Sequence, residues 1–109
     1  PEKENDFMEL ISIDPAQAIG LIDAGSVTVV DVREPDEYAS GHIPGAVLLP
    51  LGQVQARAAS VLPDKAAPIF VYCRTGRRSE AAGRMLLALG YRDVKNLGGV
   101  LTWPYELES

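Results

Sequence analysis

Cysteine occurs once in these 109 residues, and so does histidine. A single thiol excludes an internal disulfide framework and leaves no second cysteine to resolve a disulfide within the chain. One cysteine and one histidine, Cys73 and His42, are too few for a zinc site. No apolar run approaches the ~20 residues of a bilayer-crossing helix, so no membrane partner is expected. Basic residues are also scarce: 10 Lys and Arg against 15 Asp and Glu, a net charge of −5, which argues against general nucleic-acid binding. The chain begins at Pro1, which no start codon supplies, so a processed or trimmed N-terminus is expected. The missing signal peptide therefore says little about compartment: a cytoplasmic location is the first expectation, and a periplasmic one stays open.

The chain is long enough for one domain with a real core, and its 47% hydrophobic and 23% charged residues suit a globular protein. Residues 1–8, PEKENDFM, read as a loosely held, flexible start, and residues 9–109 as the single domain. Residues 9–13 suggest a short strand. Asp14-Pro15-Ala16-Gln17 then predicts a helix start, with Asp14 as N-cap, Pro15 at the first helical position and Gln17 at the third. Gly25 is placed to end that helix. Residues 27–32 are nearly continuous β-branched sequence, which fits a parallel strand covered on both faces. A short helical segment over 35–39, closed by Gly41, leads to a turn at 42–45 and a strand over 46–49. Residues 51–61 predict an amphipathic helix and 69–72 a buried strand ending at Cys73. A helix over 79–89 follows, with Ser79 as N-cap and Gly90 at its end. Residues 94–97 predict a strand, Gly98-Gly99 a turn, and 100–105 a last helical segment carrying Trp103. Strands alternating with helices point to an α/β fold with a mostly parallel sheet.

Most of the functional information lies in Cys73-Arg74-Thr75-Gly76-Arg77-Arg78-Ser79. This run places the lone thiol on a strand-to-helix turn at the carboxyl end of a strand, where open α/β sheets bind ligands. Free N–H groups and the helix dipole at such a turn form an anion cradle. Gly76 supplies the backbone freedom that curls successive amides toward one point. The same cradle and the nearby arginines favour the thiolate, lowering a cysteine pKa from about 8.5 by one to several units. The thiolate is the nucleophile. Charge is uneven along the chain: residues 1–9 hold four acids against Lys3, whereas residues 74–84 hold four arginines against Glu80. A basic spot on an acidic body suggests a small anion, or a sulfur donor with an acidic group. Arg74 and Arg77 are read as pointing outward to bind it, and Arg78 as bracing the loop. His42 reads as a turn residue rather than a general base, Asp31 with Arg33 as a polar pair supporting nearby loops, and Trp103 as core.

These motifs resemble those of the rhodanese family. Asp31 to Ala46 (DVREPDEYASGHIPGA) is similar to the family's first signature, Tyr72 to Ser79 to its active-site loop, and Gly98-Gly99 with Trp103 to its closing segment. The resemblance spans about residues 9–105. It implies a five-stranded, mostly parallel α/β sheet flanked by helices on both faces, and thiosulfate sulfurtransferase activity through a Cys73 persulfide. Carried onto this chain, Cys73 is the catalytic residue. The backbone of Arg74, Thr75, Gly76, Arg77, Arg78 and Ser79 holds the persulfide, and the side chains of Arg74 and Arg77 attract the donor. Cyanide, a thiol or a protein would accept the sulfur, and the resemblance implies no metal or organic cofactor. Two other readings stand beside it. One is a module that binds proteins or relays sulfur from a partner's persulfide. The other is a cysteine phosphatase or arsenate reductase, a group that needs five residues between its cysteine and arginine; here four separate Cys73 from Arg78, and Ser79 stands at the arginine position.

Overall fold

The computed structural model describes residues 9–109; the expected flexible start at 1–8 lies outside the described residues. The elements run β1 (Ile11–Ser12), α1 (Pro15–Asp23), β2 (Thr28–Asp31), α2 (Pro35–Ser40), β3 (Val47–Leu48), α3 (Val54–Val61), β4 (Ile69–Cys73), α4 (Arg77–Ala88) and β5 (Val94–Gly99). The five strands form one sheet in the order β1-β5-β4-β2-β3, and every neighbouring pair is parallel. β4 is therefore central, hydrogen-bonded to β2 on one side and β5 on the other. All five of its residues are buried, as a continuous apolar run covered on both faces requires.

Two apolar layers sandwich the sheet. One packs Val30, Val32, Val71 and Cys73 against Val54 and Ala58 of α3 and Ala82, Leu86 and Leu87 of α4. The other packs Val29, Phe70, Tyr72 and Leu97 against Ala18 of α1, with Ile43, Ala46 and Trp103 completing it. Each fully buried Val or Leu contributes about 1.5–3 kcal/mol relative to exposure. Trp103 belongs to this core, as its sequence context suggests.

The start of α1 follows the expected chemistry: Asp14 accepts the Gln17 N–H at 2.9 Å, and the Gln17 side chain returns to the Asp14 N–H. Four expectations need correction. Ser79 is not an N-cap, because α4 begins two residues earlier with Gly76 as its cap. Gly98 and Gly99 do not form a turn but continue β5, which carries a register shift there. The expected helix over 51–61 divides into a 3₁₀ turn, Leu51–Gln53, and α3. The segment expected over 100–105 is a single 3₁₀ turn, Val100–Thr102.

Candidate active site

β4 delivers Cys73 to the carboxyl edge of the sheet at its centre, where the side chain is only 1% exposed. The chain then turns through exposed Arg74 and Thr75 to Gly76. Gly76 has φ +102°, the left-handed region that costs glycine little, and this opens α4 immediately beside the thiol. Its N–H donates to Cys73 Sγ at 3.0 Å. Ser79, fully buried in the first turn of α4, places its Oγ 3.6 Å from Sγ. Burial pushes the thiol pKa up. The Ser79 hydroxyl and the amides of Ser79, Gly76 and Thr75 outweigh it, so the net shift is downward from the ordinary thiol value.

The floor of this loop is β5. An added Cβ on Gly99 would collide with the Arg74 carbonyl oxygen and lie 2.6 Å from Thr75 Cα. Only glycine lets the strand pass so close beneath the loop. Opposite Val71 and Tyr72 the register jumps from Asn96 to Gly98, leaving Leu97 as the extra residue of a bulge. Past the bulge, the Leu101 N–H donates to the Arg74 carbonyl at 3.3 Å. In sequence the paired glycines signal a turn; within β5 they permit this close approach instead.

Asn96, on β5, escaped the sequence reading. Its Nδ2 donates to the Gly76 carbonyl at 3.2 Å, and its Oδ1 accepts from the Gly98 N–H at 2.9 Å and the Ser79 hydroxyl at 2.7 Å. A lone asparagine on a strand carries no motif, and only the fold reveals its partners.

The three loop arginines part company. Arg78 makes two parallel hydrogen bonds to the Glu37 carboxylate of α2, at 2.8 and 2.9 Å. These bonds hold the Glu37 carboxyl at about 2, well below the ordinary carboxylate value, despite the opposing effect of partial burial. Arg74 and Arg77 are exposed and have no carboxylate partner among the described residues.

A second polar cluster lies deeper. Asp31, fully buried, accepts from Arg33 Nε and Nη2 and, at 2.8 Å, from the Tyr72 hydroxyl. The Ile43 N–H donates to that hydroxyl at 3.0 Å, and Arg33 Nη2 donates to the Gly41 carbonyl at 2.7 Å. This network joins β2, β4 and the 41–45 turn. His42 stacks on Tyr38 with ring centroids 3.7 Å apart, its Nδ1 2.8 Å from the Tyr38 carbonyl and its Nε2 3.5 Å from the Glu108 carboxylate. Among the described residues no group of three or more His, Cys, Asp or Glu side chains could hold a metal ion, and no helix is long and apolar enough to cross a membrane. A cavity of about 850 Å³ lined by Ile19, Ile22, Ile43, Pro44, Trp103 and Tyr105 contains no residue of the Cys73 loop.

The family model for the rhodanese-like domain matches residues 14–104. The chain belongs to this family. It is 42% identical over 71 residues to the thiosulfate sulfurtransferase PspE of Escherichia coli, covering 65% of this chain and 68% of that one. It is 39% identical over 84 residues to a sulfurtransferase of Allochromatium vinosum, covering 76% and 77%. Among solved structures, an E. coli rhodanese with anions superposes with a TM-score of 0.72 at 36% identity, over 76% of this chain and 98% of that one. The five-stranded parallel sheet with helices on both faces is thus the rhodanese-like fold.

Proposed function

We propose that this rhodanese domain is a sulfurtransferase that moves a sulfane sulfur through a persulfide on Cys73. The observation that carries this reading is the thiol at a helix N-terminus: Sγ receives the Gly76 N–H at 3.0 Å, and its pKa is shifted downward. The names of the E. coli and A. vinosum relatives point the same way. The Cys73 thiolate attacks the outer sulfur of thiosulfate or a similar anion. An S–S bond forms and sulfite leaves with the bonding pair of the donor's S–S bond. A nucleophilic acceptor (cyanide, a thiol or a protein thiol) then attacks the outer sulfur, and Cys73 departs as thiolate with its electron pair. Exposed Arg74 and Arg77 draw the anionic donor, while the amides of Thr75, Gly76 and Ser79 stabilise sulfur charge.

Phosphoryl transfer is poorly served by the same loop. Its last arginine, Arg78, is committed to Glu37, and the next position is the buried Ser79 hydroxyl. The test is intact mass after incubation with thiosulfate and removal of the excess. The expected result is a gain of one sulfur atom, lost on treatment with a thiol and absent in Cys73→Ser. No gain with thiosulfate, mercaptopyruvate or a protein persulfide would overturn the reading.

A further inference from the structure

Ser79 has one hydroxyl proton and three acceptors within reach: Asn96 Oδ1 at 2.7 Å, the Gly98 carbonyl at 3.4 Å and Cys73 Sγ at 3.6 Å. The shortest of these takes the proton. The orientation of Asn96 is fixed independently, because its Oδ1 meets the Gly98 N–H and its Nδ2 meets the Gly76 carbonyl, an oxygen that also accepts the Glu80 N–H and cannot donate. Asn96 Oδ1 therefore faces Ser79, and the amide cannot flip without losing both backbone partners. With its proton on Asn96, Ser79 turns a lone pair toward Sγ and suits the protonated thiol. When Cys73 ionises, the same hydroxyl gains by rotating its proton to the sulfur, and Asn96 loses that bond.

We infer that Asn96 is a positioning residue that competes with the Cys73 thiolate for the Ser79 proton and so sets how readily Cys73 ionises. The inference rests on Cys73 being the reactive thiol. Asn96 makes no hydrogen bond to the sulfur among the described residues; it acts through Ser79. In a persulfide the negative charge moves to the outer sulfur. The Ser79 proton then returns to Asn96, and the loop amides receive the charge. One rotor thus serves both states of the cysteine without a proton leaving the site.

The other charged groups around this site are Arg78 of α4 and its partner Glu37 of α2, Glu80 of α4, whose Oε1 is 3.5 Å from Asn96 Nδ2, Arg74 and Arg77 of the loop, and the Asp31–Arg33 pair beside β4. Their effects, and the loss of the Asn96 bond to the Gly76 carbonyl, are common to backgrounds with and without the Ser79 hydroxyl. A double-mutant cycle cancels them.

The experiment measures the Cys73 pKa from the pH dependence of iodoacetamide alkylation in the intact chain, in its Asn96→Ala, Asn96→Asp and Ser79→Ala variants, and in both double variants. Alkylation reads the thiolate whether or not sulfur is transferred, so failure here is distinct from failure of the proposed activity. With Ser79 present, Asn96→Ala should lower the pKa relative to the same change in the Ser79→Ala background. Trading a neutral acceptor for a charged one should make that difference about fivefold in thiolate population, roughly 0.7 of a pKa unit. Asn96→Asp, a stronger acceptor, should give a difference of the opposite sign. Equal shifts in the two backgrounds would overturn the inference, as would the same sign for both substitutions. If the alanine variant fails to fold, the aspartate arm decides alone.

Discussion

Arg74 and Arg77 share a loop with Arg78 but not its partner. A guanidinium locked to a carboxylate on two bonds is a brace, whereas Arg74 and Arg77, exposed and without a carboxylate partner among the described residues, are open to an incoming anion. Arg74→Ala and Arg77→Ala are each expected to raise the thiosulfate KM about tenfold, with a smaller effect on kcat, since each loses one charge-assisted contact at an exposed position. Steady-state kinetics would show this, and unchanged KM in both variants would remove the arginines from donor capture. Arg78 reads as the brace from sequence because it ends the loop and borders the helix. Ser79 reads as a cap, by the local chemistry of a serine at a strand-to-helix turn, and that reading fails. Gly76 starts α4 earlier and turns Ser79 inward to Asn96 and the sulfur. No local pattern carries that information.

At the scale of elements, α2 and β5 hold the loop from two sides. The α2 contribution is the Glu37–Arg78 pair. Folding lowers the Glu37 carboxyl from its ordinary 4.5 to about 2, so the folded chain resists its protonation. The stability this adds is complete above about pH 4.5 and is lost as pH falls toward 2. Glu37→Gln should flatten that part of the denaturation profile by about 1 kcal/mol or less, because both side chains are a quarter to a third exposed. Identical acid profiles for the two proteins would deny the pair its bracing role. The β5 contribution is the bare backbone at Gly99. Gly99→Ala should lift the loop, cost about 1–3 kcal/mol and raise the Cys73 pKa, read by denaturation and alkylation rate. An alanine variant with native stability and reactivity would show that the loop does not rest on this strand. The helices and central strands were legible because their signals are local: β-branched runs for β2 and β4, the Asp14-Pro15-Gln17 start for α1. The bulge in β5 was not, since it depends on how that strand pairs with β4 and how closely the loop approaches it.

At the scale of the whole molecule, a buried ionic network lies beside the strand that carries Cys73. Asp31, Arg33 and Tyr72 connect two strands of the sheet centre to the turn after α2. Asp31→Ala leaves a guanidinium 4% exposed without its carboxylate, and the expected cost is about 3–5 kcal/mol. That is a large share of the roughly 5–15 kcal/mol available to a domain of this kind, and chemical denaturation would measure it. A loss under about 1 kcal/mol would mean that the network supports the turn locally and not the fold.

The strands at the two borders of the sheet, β1 and β3, hold two residues each. Strands so short expose few unmatched amide and carbonyl groups, and Pro50 lies two residues beyond β3 with no N–H to offer. A neighbouring copy therefore finds little ladder on which to add itself. The long, strongly apolar strands that template fibres in other proteins are here enclosed at the centre, β4 above all. A sheet that carries its lone cysteine at one rim thus offers little purchase for strand-by-strand self-association along the other two.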